Sequence, residues 1–339
     1  MTHPKMTHHF KNLIFSLSVL TILVGCQQSV NKENSQPDPS PKVAIVIHGG
    51  AGTISRDKMT PEAEAAYREQ LQLALTTGYQ LLEAGESSCK AIQEAILLME
   101  NSPLFNAGKG AVFTATGENE LDASIMRGSD LNAGAVAGVK TIKNPILAAN
   151  EVMLNSPHVM LAREGAEAFA EERGLELVAP EYFKTERRAK QLEKIIQKVE
   201  KEFGTVGAVA VDQAGNICAA TSTGGMTNKR WGRIGDSPVI GAGTYANNAT
   251  CGVSGTGHGE YYIRTAAAHD VSALMEYKGL SVEDAAQQVM DKLSAMDAKG
   301  GLIALDRYGN VAMPFNTSGM YRGYLVEGRD PVVQIFKNE

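Results

Sequence analysis

Hydrophobic and polar positions along this chain change period several times, and each change marks an element. Residues 42–47, Lys-Val-Ala-Ile-Val-Ile, form a short apolar, β-branched run that predicts a buried strand, closed by a glycine turn at His48-Gly49-Gly50-Ala51-Gly52. His48 at the strand end is read as a hydrogen-bonded structural histidine in preference to a catalytic one. Thr60-Pro61 supplies an N-cap and an N1 proline for a helix whose buried face carries Leu71, Ala74, Leu75, Gly78 and Leu82 and which stops at Gly85. A second helix starts at Ser88 with Ile92, Ile96 and Met99 inward. A polar, glycine-bearing loop follows from Ser102 to Gly110. Short small-residue strands are predicted at 110–114 and 133–139, and Ser156-Pro157 predicts a helix ending at Gly174.

From Glu181 to Phe203 twelve of 23 residues are charged, which suits a solvated helix and an exposed linker equally. The pattern then turns to hairpins. Gly207 to Thr223 reads as strand, turn, strand, and the frame G-x-x-A-x-D-x-x-G-N returns at Gly301 to Asn310, predicting two equivalent hairpins in the core sheets. Helices fall between them, from about Glu260 to Tyr277 and after the capping box at Ser281. Strands first and last with helices on both sides predict an α+β fold, a four-layer α-β-β-α sandwich.

Composition narrows the functional classes. At 43% hydrophobic and 21% charged residues the 339-residue chain can build a large core, and its net charge of −6 gives no support for nucleic-acid binding. Lys5 and Lys11 precede an apolar run, Leu13 to Val24, too short to span a bilayer comfortably. It ends at Gly25-Cys26, which resembles the lipobox of bacterial lipoproteins. We expect residues 1–25 to be a lipoprotein signal peptide, Cys26 to be lipidated, and residues 26–41, rich in Ser, Asn, Gln and Pro, to form a tether. The protein is then expected to be an exported lipoprotein of the cell envelope. The remaining cysteines, Cys89, Cys218 and Cys251, allow one disulfide at most and are expected as three buried thiols.

Candidate chemistry centres on Phe203-Gly204-Thr205. A threonine hydroxyl needs an adjacent base, and an N-terminal threonine brings its own α-amine, with a pKa near about 8. A self-cut between Gly204 and Thr205 would create one. Thr221-Ser222-Thr223 ends the hairpin with hydroxyls on alternate sides, so Thr223 can neighbour Thr205 across it. In Gly232-Arg233-Ile234-Gly235-Asp236-Ser237-Pro238, Arg233 can grip an α-carboxylate and Asp236 an α-ammonium; a plain local salt bridge between them is the competing reading. Backbone N–H groups of Ser254-Gly255-Thr256-Gly257-His258-Gly259-Glu260 can hold an oxyanion. The G-x-G-x-G spacing there fits a dinucleotide loop poorly, no glycine loop is followed by a Walker lysine, and no paired His or Cys metal motif occurs.

Taken together, Gly204 to Gly225, Gly232 to Pro238, Gly241-Ala242-Gly243-Thr244-Tyr245-Ala246-Asn247-Asn248, His48 to Gly52 and Phe105-Asn106-Ala107-Gly108 closely resemble the plant-type L-asparaginases, or isoaspartyl peptidases, which are N-terminal-nucleophile hydrolases. The resemblance runs from Lys42 to the C-terminus. It implies cleavage into an α chain, 42–204, and a β chain, 205–339, forming one catalytic domain assembled as (αβ)2. It implies Thr205 as nucleophile, Thr223 in support, Arg233 and Asp236 as substrate anchors, Thr256 and Gly257 as oxyanion hole, Gly259 lining the pocket and Asn106 close by. The implied substrates are L-asparagine and β-aspartyl dipeptides. No cofactor is required; a structural sodium ion is expected on the backbone carbonyls of Glu100, Ser102, Phe105, Ala107 and Lys109. Two alternatives stand beside this reading: a glycosylasparaginase-like amidohydrolase, whose junction is usually Asp-Thr, and a non-catalytic amino-acid-binding lipoprotein. His258 inside the glycine loop departs from a plain oxyanion turn.

Overall fold

The nine residues of β1, Ala44–Gly52, are all buried and run straight through the glycines instead of turning at them. A Cβ on Gly49 would lie 2.5 Å from the Phe105 ring, and Gly50, at φ 109°, stands beside a register shift against a neighbouring strand. The glycines therefore serve close packing within a strand. This computed structural model describes residues 40–197 and 204–339. The expected leader, Cys26, most of the tether and the last residues before Gly204 lie outside the described residues.

After β1 come α1, Pro61–Glu83, and α2, Ser88–Glu100, with the predicted apolar faces buried. Thr60 caps α1 by accepting from the Ala63 N–H at 3.2 Å; Ser87 caps α2. The strand predicted at 110–114 is instead a 3₁₀ turn and loop, closed by Gly110 and Ala111 N–H bonds to Ala107 and Gly108 carbonyls. Then follow β2, Leu121–Arg127, β3, Ala133–Val139, α3, Pro145–Asn155, β4, Met160–Ala162, α4, Arg163–Glu172, and α5, Glu186–Ile196. Ser156-Pro157 thus closes a helix and does not open one: the Ser156 hydroxyl donates back to the Val152 carbonyl at 2.9 Å, and Pro145 takes the N1 role. The charged segment forms the solvated helix α5 as far as Ile196.

The second half contains β5, Val206–Val211, β6, Ile217–Thr223, β7, Thr244–Ala246, β8, Cys251–Gly257, α6, Gly259–Thr265, α7, Ala267–Lys278, α8, Val282–Ala295, β9, Gly300–Asp306, β10, Val311–Ala312, β11, Gly319–Val326, and β12, Val332–Phe336. The helix expected over 260–277 is two, broken at Ala266, whose φ of 48° is left-handed. The repeated frame folds as predicted. Asp212 Oδ1 accepts from the Ala214 and Asn216 N–H groups, and Asp306 Oδ1 from those of Tyr308 and Asn310.

An eight-stranded sheet, β12-β11-β1-β5-β6-β2-β3-β4, stacks on a four-stranded one, β10-β9-β8-β7. One apolar cluster joins α1–α4 to the large sheet, a second joins α6–α8 to the small sheet, and a third, including Val46, Val209 and Ile303, lies between the sheets. These are the four layers, each buried on the faces its sequence leaves apolar. No helix among the described residues is long and apolar enough to cross a membrane.

The cysteines depart from expectation. Cys89 and Cys218 form a disulfide, and among the described residues only Cys251 is free, its buried thiol pushed up to about 12. The reason is positional: α2 packs on the β5–β6 hairpin, and the Ser88 N–H and hydroxyl both donate to Asp212 Oδ2, at 3.1 and 3.3 Å, which sets Cys89 over β6.

Candidate active site

Thr205 precedes β5 by one residue and is 7% exposed. Its hydroxyl donates to the carbonyl of Gly204 at 2.8 Å and lies 3.0 Å from the hydroxyl of Thr223, the last residue of β6. Antiparallel pairing of β5 with β6 sets Val206 opposite Ser222, which brings the residues at either side together. The Thr223 hydroxyl is also 3.2 Å from the Gly204 carbonyl and accepts from the Gly225 N–H at 3.0 Å. Side chains alternate along β6 as predicted: Ser222 faces the opposite way and donates to Glu100 Oε1 at 2.6 Å. Full burial raises the Glu100 carboxyl to about 7.

Asn106 reaches the same carbonyl from the α2 loop. Its Nδ2 donates to the Gly204 and Gly225 carbonyls, both at 2.7 Å, while Oδ1 accepts from the Val112 N–H at 2.9 Å, which fixes the amide's orientation. The Gly204 carbonyl thus carries a directed N–H donor at the bond expected to break. Asn106→Ala should slow cleavage by on the order of 10²–10³, the scale for one lost oxyanion donor. Time courses on denaturing gels would read this, and an unchanged rate would remove Asn106 from that role.

The cavity on the Thr205 side is lined by Thr223, Met226, Arg233, Gly235, Asp236, Ser237 and Gly257 with Gly204, and its free volume is about 10 Å³. That is room for about one water. Asp236 is buried, and its Oδ2 has no hydrogen-bond partner; burial raises its carboxyl to about 7. Thr256 Oγ1, on β8 beside Gly257, is likewise buried and unpartnered. These are the atoms an incoming polar ligand would satisfy. Gly259 follows at the start of α6; a Cβ there would stand 2.6 Å from Asp236 Oδ1 and 2.9 Å from Arg233 Nη2. Gly259→Ala should therefore raise KM by roughly tenfold, equal to about 1.4 kcal/mol, by pushing both anchors apart. Steady-state kinetics would show it, and an unaltered KM would mean the cradle tolerates a methyl.

Arg233 does not pair with Asp236. It makes a bidentate bridge to Glu260, 2.9 Å from Nε and 3.0 Å from Nη2, with its own side chain 18% exposed. Sequence reasoning missed Glu260, although it directly follows Gly259. It also missed a buried chain of hydroxyls between the sheets. Ser124, Thr244, Thr221 and Ser254 link in sequence at 2.8, 2.6 and 2.7 Å, and the Ser254 hydroxyl meets His48 Nε2 at 2.9 Å. His48 Nδ1 lies 3.1 Å from the Thr205 carbonyl, which requires an N–H there and makes Nε2 the acceptor. Burial lowers the imidazole to about 3, so it stays neutral. His48 is the hydrogen-bonded histidine the sequence suggested. His258 stands at the N-cap position of α6, accepts from the Lys299 N–H at Nδ1, 3.3 Å, and does not line the Thr205 cavity.

On its other side Gly204 meets a cavity of about 600 Å³, whose lining includes Gly50, Tyr67, Asn106 and Arg187. Among the described residues no cluster of three or more His, Cys, Asp or Glu could hold a metal.

Residues 41–335 match the asparaginase family. The chain is 52% identical over 312 residues to an isoaspartyl peptidase of Escherichia coli K12, covering 88% of this chain and 97% of that protein. It is 51% identical to an isoaspartyl peptidase of Salmonella typhimurium, over 87% and 99% of the two chains. Against an isoaspartyl peptidase/L-asparaginase of Mus musculus the identity is 43%, over 82% and 86%. With a threonine hydroxyl set on the preceding carbonyl inside an α-β-β-α sandwich, and a family match spanning nearly all described residues, this chain belongs to the asparaginase family of N-terminal-nucleophile hydrolases.

Proposed function

We propose that the chain cuts itself between Gly204 and Thr205 and that the freed Thr205 hydrolyses β-aspartyl dipeptides and L-asparagine, releasing aspartate. The observation that carries this reading is the Thr205 hydroxyl at 2.8 Å from the Gly204 carbonyl, which also receives Asn106 Nδ2. In the cut, Oγ adds to the Gly204 carbonyl carbon, the peptide C–N bond breaks to leave an ester and release the Thr205 α-amine, and water then hydrolyses the ester to free the Gly204 carboxyl and the Thr205 hydroxyl. In turnover Oγ attacks the substrate's side-chain carbonyl while the α-amine takes and returns the proton. Thr256 Oγ1 and the Gly257 N–H hold the oxyanion, and water then resolves the aspartyl ester. Arg233 takes the α-carboxylate, displacing or sharing Glu260; Asp236 takes the α-ammonium. The cavity of about 10 Å³ is too small for substrate, so the cut must come before binding. The larger cavity beyond Gly204 offers a path for the leaving group, which favours dipeptides as well as asparagine.

Assaying one purified preparation against both substrates, with N-terminal sequencing of its fragments, tests the reading. Absence of a fragment beginning at Thr205, or of aspartate release from both, would sink it. A pH signature should accompany it. Asp236 binds an ammonium only when ionised, so affinity for aspartate should weaken as pH falls through about 7 and its carboxyl takes up a proton. Calorimetric titrations across that range check this; a flat profile would take Asp236 out of the role.

The loop after α2 suits a structural sodium ion on the carbonyls of Glu100, Ser102, Phe105, Ala107 and Lys109. It curls so closely that a Cβ on Gly108 would lie 2.8 Å from the Glu100 carbonyl carbon, and carbonyl oxygens are apt ligands for a hard cation. No step of the reaction uses it. Exposed large apolar side chains, Trp231 foremost at 95%, support an (αβ)2 assembly. Residues 13–26 support export with lipidation at Cys26, and the Cys89–Cys218 disulfide supports an oxidising compartment.

A further inference from the structure

We infer that the Cys89–Cys218 disulfide becomes a cross-link between the two chains of the mature enzyme. The inference rests on the proposed cut, because the bond's two halves lie on either side of it. Cys89 is the second residue of α2 and precedes Gly204; Cys218 is the second residue of β6 and follows Thr205. Once the peptide bond at 204/205 is gone, no peptide backbone joins those 129-residue-separated positions, and the S–S bond is the covalent connection between them.

The corner it closes is already assembled by weaker contacts. Ser88 donates twice to Asp212, and Gln213 Nε2 donates to the Leu82 and Glu83 carbonyls, both at 3.2 Å. These hold the α1–α2 junction against the turn between β5 and β6, so the two thiols meet when that packing forms. Cys218 is fully buried, which means pairing accompanies folding. In the step, two thiols lose two protons and two electrons to a donor disulfide, which leaves as a dithiol. Cys251 lies in the core under α7 and α8, remote in packing from this corner, and does not compete. The consequence is that α and β chains stay at high effective concentration even when unfolded, so a cut enzyme can refold as a single molecule.

The test uses the full chain, purified without reductant after alkylation of free thiols, on paired denaturing gels. One band without reductant and two with it, the smaller beginning at Thr205, is the expected result. Two bands in both lanes would overturn the cross-link while leaving the cut intact. One band in both lanes would overturn the cut and with it the cross-link; a peptide map for the Cys89–Cys218 pair would then show whether the disulfide exists in an uncut chain. Cys89→Ser should give two bands without reductant and still be cut, and a persisting single band would place the linkage elsewhere. As a second readout, recovery of the paired αβ unit from the cut, denatured enzyme should not depend on protein concentration unless reductant is present. Concentration dependence in both cases would also overturn the inference.

Discussion

Replacing Thr205 with alanine is expected to leave one uncut chain that releases no measurable aspartate from either substrate. Two losses coincide in that variant. The hydroxyl that faces the Gly204 carbonyl at 2.8 Å disappears, so the acyl shift has no nucleophile. The α-amine, the base of the second reaction, is never released. Loss of a hydrolase nucleophile costs on the order of 10⁶ in turnover, and here the blocked cut adds a site filled by Gly204. The fold should persist, because Thr205 sits one residue outside β5 and its backbone carbonyl still meets His48. Thr205→Ser should restore the cut at a lower rate. A cut, active alanine variant would end the central claim.

Arg233→Ala should do the reverse: it should spare the cut and cripple turnover. The guanidinium pairs with Glu260 and lines the Thr205 cavity, but it makes no bond to the Gly204 carbonyl. Removing one partner of a desolvated charge pair costs about 2–5 kcal/mol, roughly 30- to 5,000-fold in kcat/KM. The loss should fall mainly on KM, since the α-carboxylate is held alike in ground and transition states. Arg233→Lys should recover part of it, because an ammonium cannot reproduce the fork. Gels and steady-state kinetics on the same sample separate the two reactions; an uncut Arg233→Ala chain would place Arg233 in the first of them.

The elements that could be read from sequence were those fixed by local chemistry. Thr60-Pro61, the Ser281 cap and the two Asp-x-x-Gly-Asn turns act within a few residues, and each appears where its chemistry puts it. Thr205 and Thr223 were legible as neighbours because a hairpin joins them. Features set by distant packing were not. Cys89 meets Cys218 only because α2 crosses the β5–β6 hairpin, and no spacing rule reaches across 129 residues. Glu260 reads as an ordinary first-turn acid until Arg233 is folded back against it. The hydroxyls of Ser124, Thr221, Thr244 and Ser254 come from four strands, and each alone is an unremarkable strand residue. The break at Ala266 carries no glycine or proline to announce it.

In the large sheet, β1 lies between β11 and β5, two strands from the far side of the expected cut. His48 pairs with Gly207, and a Cβ on Gly50 would lie 2.9 Å from the Gly204 Cα, so the bond to be broken is shaped by a strand that must first be clasped from both edges. Self-cutting would then serve as a folding checkpoint. Only a chain that has brought its last long strand home around its first can present Gly204 to the Thr205 hydroxyl, and one stalled earlier keeps its nucleophile locked in a peptide bond.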